Sequence, residues 1–119
     1  MKSNIEWYSV ALGILVTLLA QTGAWFQHNL QFKYPKLDSS WWGWYVVAIP
    51  LTFLFVKATE LMVKGFGGYL WAGRFVGFSV GMFVYAIFNS IIMDQGVDSK
   101  VFTQLSLAFT IIAIQVWWK

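Results

Sequence analysis

The chain has no cysteine, one histidine and few charges: 11% of its 119 residues are Asp, Glu, Lys or Arg. Without thiols it can form no disulfide and offers no thiolate to a metal or a substrate. A single imidazole, with no carboxylate inside any of the long apolar runs, leaves no metal-ligand cluster and no acid–base pair at usable spacing. Catalysis is therefore not expected, and neither is a metal or a cofactor. Alternation of apolar and polar residues with a period of two is missing as well, which argues against strands. The excess of basic over acidic residues, a formal net charge of +3, comes from single residues scattered along the chain. No basic stripe of the kind that tracks a phosphate backbone exists, so nucleic acid is not an expected partner.

What the chain has in quantity is apolar and aromatic surface. Hydrophobic residues make up 59% of it, including eight Trp, eleven Phe and five Tyr, and the mean hydropathy is +0.64. A water-soluble core of this size could not cover so much apolar area, whereas a bilayer accepts apolar side chains facing outward and favours Trp and Tyr at its headgroups. Stretches 7–32, 39–56, 75–93 and 101–118 contain no Asp, Glu, Lys or Arg. Each reaches the roughly 17–25 residues that a spanning helix needs. In hydrocarbon every backbone polar group must be paired internally, so such runs form helices. The first is too long and too uninterrupted for a cleavable signal peptide and is expected to stay as a helix.

The expected fold is thus all-α: a polytopic integral membrane protein, one four-helix bundle over residues 1–119, with spans near 7–30, 41–62, 70–93 and 101–118. The joins at 33–38 and 94–100 are too short to hold a domain, so consecutive helices run antiparallel as neighbours. Between the second and third spans, Lys57, Glu60 and Lys64 continue a helical pattern until Gly65, Gly67 and Gly68 break it. Pro50 removes a backbone donor inside the second span, which predicts a kink there. Aromatic residues mark the ends of the spans: Trp7 and Tyr8; Trp41, Trp42, Trp44 and Tyr45; Tyr69 and Trp71; Trp117 and Trp118. Lys2, Lys57, Lys64, Arg74 and Lys119 fall on one side against Lys33, Lys36 and Lys100 on the other. By the positive-inside rule both termini face the cytoplasm, in a cytoplasmic (inner) membrane.

Several residues stand out against this apolar background. Gly73, Gly77 and Gly81 repeat every four residues and so stack on one face of the third helix, where a facing backbone could approach closely. They are expected to serve helix packing. Tyr85 and Asn89 continue the stripe as a polar patch. On the first helix Gln21, Trp25 and His28 share a face by the i, i+4, i+7 rule. Polar groups at membrane depth are costly, face protein or water, and mark candidate functional sites. Gln21 would find its partners in Asn89 and Tyr85. His28 is the residue type suited to a proton-linked or substrate role near neutral pH. Arg74, just inside the third span, is expected to snorkel to lipid phosphates, and Glu60 to pair with Lys57 or Lys64.

Four short spans, tight joins, both termini on one side and a weak charge bias resemble the small four-helix branch of the drug/metabolite transporter superfamily, which includes the small multidrug resistance proteins. The segment Ala24-Trp25-Phe26-Gln27-His28-Asn29-Leu30 is similar to the Ala-Trp-Tyr-x-His-Leu run that ends the first helix of an uncharacterised family there, with a one-residue offset after the histidine. The resemblance implies a homodimer in which substrate lies between the first three helices and the fourth packs chains together. One departure is plain. The multidrug exporters exchange protons through a glutamate in the first helix, and here that stretch offers Thr17, Gln21 and Thr22. Neutral amides and hydroxyls do not release a proton near physiological pH.

The function expected from these residues is a small membrane transporter or facilitator for a small solute. It would act as a dimer through a path lined by Gln21, Trp25, His28, Tyr85 and Asn89. The alternative is a non-catalytic subunit of a larger membrane complex, which the glycine face and the shortage of extramembrane chain would also serve. A channel is the weaker third reading, because no ring of like charge or polar filter motif is present.

Overall fold

The computed structural model describes residues 5–118. Lys2 and Lys119, both part of the charge balance, lie outside the described residues. The chain forms four α-helices, α1 (Trp7–Asn29), α2 (Gly43–Gly65), α3 (Leu70–Ile91) and α4 (Ser99–Trp117). All four are long and apolar enough to cross a membrane. Their outward faces carry Leu15, Leu19, Ile49, Phe53, Phe78, Ile87, Phe102, Leu107 and Phe109, all exposed, which suits a lipid solvent and not water.

Local chemistry sets where the helices stop. α2 continues unbroken through Pro50 and through its polar tail of Lys57, Glu60 and Lys64 to Gly65. It ends in a Schellman motif: Gly67 N–H donates to the Lys64 carbonyl at 3.2 Å and Gly68 N–H to the Val63 carbonyl at 2.8 Å. Gly67 and Gly68 take φ of 73° and 93°, a left-handed geometry that glycine adopts without a Cβ penalty. α4 starts at Asp98, whose carboxylate accepts from the Val101 N–H at 2.9 Å, satisfying one of the orphan donors of its first turn.

The α1–α2 connection holds two 3-10 turns, Leu30–Phe32 and Pro35–Leu37. Aromatic side chains tie it down: Trp44 Nε1 donates to the Leu37 carbonyl at 2.6 Å and Tyr45 Oη to that of Ser39 at 2.6 Å. In the same loop Asp38 accepts from the Ser40 hydroxyl and amide, which hold its carboxyl below the usual carboxylate range.

α1 and α2 form the closest pair and run antiparallel. The Glu6 N–H donates to the Gly65 carbonyl at 2.7 Å at one end, and Gln27 Nε2 donates to the Trp44 carbonyl at 3.0 Å at the other. Between these ties the backbones approach over glycines. A Cβ at Gly65 would lie 2.5 Å from Val10 Cγ2, one at Gly13 2.8 Å from Met62 Sδ, and one at Gly23 2.5 Å from Leu51 Cδ2. Ser9, Gly13, Thr17 and Ala20 supply a buried small-residue face on α1 for this contact.

α3 runs parallel to α1 and touches every other helix, while only α3 comes within backbone contact of α4. Val10, Met62, Phe66, Ala72, Val76, Val80 and Val84 form the apolar core where α1, α2 and α3 meet. α4 is least covered: Ala108 is its one buried residue among those described.

Candidate functional site

Polar side chains gather in two places, one at each end of the α1–α3 pair. Near the C-terminal end of α1, Trp25 Nε1 donates to Asn89 Oδ1 at 2.9 Å and Tyr85 Oη donates to Asn29 Oδ1 at 2.9 Å. Asn29 Nδ2 in turn donates to the Trp25 carbonyl at 3.0 Å, one turn back on its own helix. Trp25 is buried and its ring meets Phe26 edge-on at 5.3 Å and Phe88 at 5.5 Å. Just beyond, Lys33 Nζ donates to the Ile92 carbonyl at 2.9 Å, placing a cation on the exposed carbonyl end of α3. Trp25, Asn29, Tyr85 and Asn89 are thus linked to one another across the two helices, in a bracket whose geometry joins α1 to α3.

The second place is a cleft of about 410 Å³ between α1, α2 and α3, on the other side of the bracket. Thr17 and Gln21 of α1 form its floor. Phe55, Ala58, Thr59 and Met62 line the α2 wall, and Leu70, Gly73, Arg74, Gly77 and Phe78 the α3 wall. Thr17 and Thr59 spend their hydroxyl protons on carbonyls four residues back, Gly13 at 2.7 Å and Phe55 at 2.9 Å, and keep only acceptor capacity toward the cleft. Gln21 lies against α3 at Gly81, where an added Cβ would come within 2.9 Å of its Cδ and Nε2. The glycine is what lets the amide fit between the helices.

The residues anticipated for a solute path therefore divide. Trp25, Tyr85 and Asn89 converge in the bracket, and the residue that completes it, Asn29, was not anticipated. Gln21 stands apart from Tyr85 and Asn89, one turn short of Trp25, and belongs to the cleft. His28 is exposed, one residue from Asn29 and turned away from both groups. The glycines divide too: Gly73 has Met62 Cβ and Val63 Cγ2 at an ordinary 3.4 Å from a built Cβ, Gly81 accommodates Gln21, and Gly77 has nothing within 4 Å. Gly77 widens the cleft; no other helix backbone closes on it among the described residues. Thr17, Thr59 and Arg74 also line the cleft without having been anticipated there. Glu60 is bonded to Lys57 at 3.2 Å, away from the cleft. Among the described residues no group of three His, Asp or Glu side chains converges.

Protein-family models, curated proteins and solved structures were all compared with this chain, and none matches it.

Proposed function

We propose that the chain is a small membrane transporter or facilitator for a small solute, acting as a homodimer, with the α1–α3 cleft as the solute path. One observation carries this reading. The cleft is roofless at Gly77, floored by a membrane-embedded amide at Gln21, and falls in the volume range of roughly 300–1,000 Å³ typical of small-molecule sites. A polar floor at that depth is costly unless it faces a partner or a ligand, and Gln21 faces the cleft. The resemblance to the small multidrug resistance proteins favours the same three helices for substrate and assigns α4 to the dimer contact. The five-to-three distribution of basic residues favours a cytoplasmic location for both termini.

A second reading, a non-catalytic subunit of a larger complex, draws on α4, of which 6% of the best apolar window is buried against 33% for α1. Purification of the chain expressed alone separates the two, because a stable detergent-solubilised dimer favours the first and recovery only with other membrane proteins favours the second. The test of transport itself is release of entrapped neutral, cationic and anionic dyes from vesicles containing the purified protein. Gly77→Leu, which fills the cleft, and Gln21→Leu, which removes its polar floor, are expected to abolish release while leaving the protein folded. Failure of the wild-type protein to release any dye sinks the transporter reading.

A further inference from the structure

Resting on the transporter reading of this cleft, we propose that its ligand is an anionic amphiphile: a carboxylate, phosphate or sulfonate borne on an apolar body. The charge that lines the cleft is of one sign. Arg74 is the one charged side chain that lines it, and it has no ion-pair partner among the described residues. The five acidic residues are all elsewhere: Glu6 accepts from Ser9, Glu60 is held by Lys57, and Asp38, Asp94 and Asp98 sit in the joins at the opposite end of the bundle. An anion entering here would gain a charge-assisted hydrogen bond from Arg74, which an organic cation would not.

The arrangement along the cleft then sets the rest of the ligand. From Arg74 the α3 wall passes Gly77 and Phe78 to reach the level of Gly81 and Gln21, seven residues or about 10 Å along the helix. Phe55 of α2 and Phe78 of α3 flank this passage. A head on the guanidinium places an apolar body between the two rings, with the Gln21 amide at the tail end to bind a polar substituent. Both a bilayer phospholipid and a free single-chain amphiphile have this chemistry.

The test uses the full chain in phosphatidylcholine nanodiscs and three fluorescent probes of identical alkyl tail, ending in a carboxylate, a hydroxyl or a quaternary ammonium. The carboxylate probe is expected to bind tightest. Arg74→Gln is expected to weaken it by about tenfold or more, the scale of one charge-assisted hydrogen bond, and to leave the hydroxyl probe unchanged. Arg74→Lys restores most of the loss, and Gly77→Leu excludes all three probes, which keeps the test decisive if Arg74→Gln does not fold. Equal or tighter binding of the ammonium probe overturns the proposal, as does carboxylate binding that Arg74→Gln does not weaken. Added phosphatidylglycerol that competes with the probe through Arg74 assigns the head to the bilayer; lack of competition assigns it to a free amphiphile, and both support the proposal. Ordered probe binding without dye release from vesicles removes the transport reading alone, whereas dye release without carboxylate binding overturns this inference alone.

Discussion

Tyr85 and Ser79 lie six residues apart on α3 and dispose of their hydroxyls in opposite ways. Tyr85 donates across to Asn29 at 2.9 Å, while the Ser79 oxygen is buried with no hydrogen-bond partner among the described residues. Tyr85→Phe is therefore expected to lower resistance to unfolding in denaturing mixed micelles by about 1 kcal/mol, the scale of interhelical bonds in membranes. Ser79→Ala removes a desolvated hydroxyl that has nothing to lose, and is expected to be neutral or stabilising in the same assay. A destabilised Ser79→Ala protein would mean that the hydroxyl has a partner after all. Trp25 was legible by the helical face it shares with Gln21 and His28, and Tyr85 and Asn89 were legible because they continue the four-residue stripe of the third helix. Asn29 was not, because it follows the histidine at a helix end that reads as headgroup territory. One residue along a helix is about 100° of rotation, enough to place Asn29 inside and His28 outside. A helical face drawn from Gln21 alone does not say which of the two its partner helix covers.

Elements pose a different problem, in which the same residue type serves two ends. The four-residue spacing of Gly73, Gly77 and Gly81 correctly marks a common face, but what lies opposite decides its use, and that is a tertiary fact. The tightest backbone approach is between α1 and α2 at Gly13 and Gly65, with Gly23 making room for the Leu51 side chain. Its signal was present in the small residues Ser9, Gly13, Thr17 and Ala20, spaced by four, four and three, which a search for glycine alone passes over. Gly13→Leu is expected to force α1 from α2 at a cost of about 1–3 kcal/mol, the usual penalty of overpacking, and to reduce the yield of folded protein. Gly77→Leu is expected to leave helix packing and yield unchanged. Folded yield measured by size-exclusion chromatography distinguishes the pair, and a collapse of Gly77→Leu alone would place a backbone against that face.

At the scale of the whole molecule the sequence was most informative, because bilayer thickness imposes itself on length and composition directly. Charge-free runs and aromatic clusters were enough to mark four helices, and antiparallel neighbours follow from joins too short for anything else. If all four helices cross, both ends lie on one side, so tags at residues 1 and 119 are expected to be protected together from an impermeant reagent. Opposite exposure of the two tags within single molecules would remove the four-span architecture.

The bracket at the Asn89 end gives the bundle the mechanics of a spring clip. Three bonds hold α1 and its following loop to α3 there, through Trp25, Asn29 and Lys33, while toward the other end the cleft opens beside the apolar core. With bonds of about 0.6 kcal/mol each and a ring contact of about 1 kcal/mol, the clip is held shut by about 3 kcal/mol. A catch of that strength, taken by itself, lies in the range where an alternative conformation is populated at about 0.1–10%. No titrating carboxylate is wired into the clip, and none is needed to spring it. Under the proposed function, a passage with such a catch would equalise solute across a membrane and would not accumulate it.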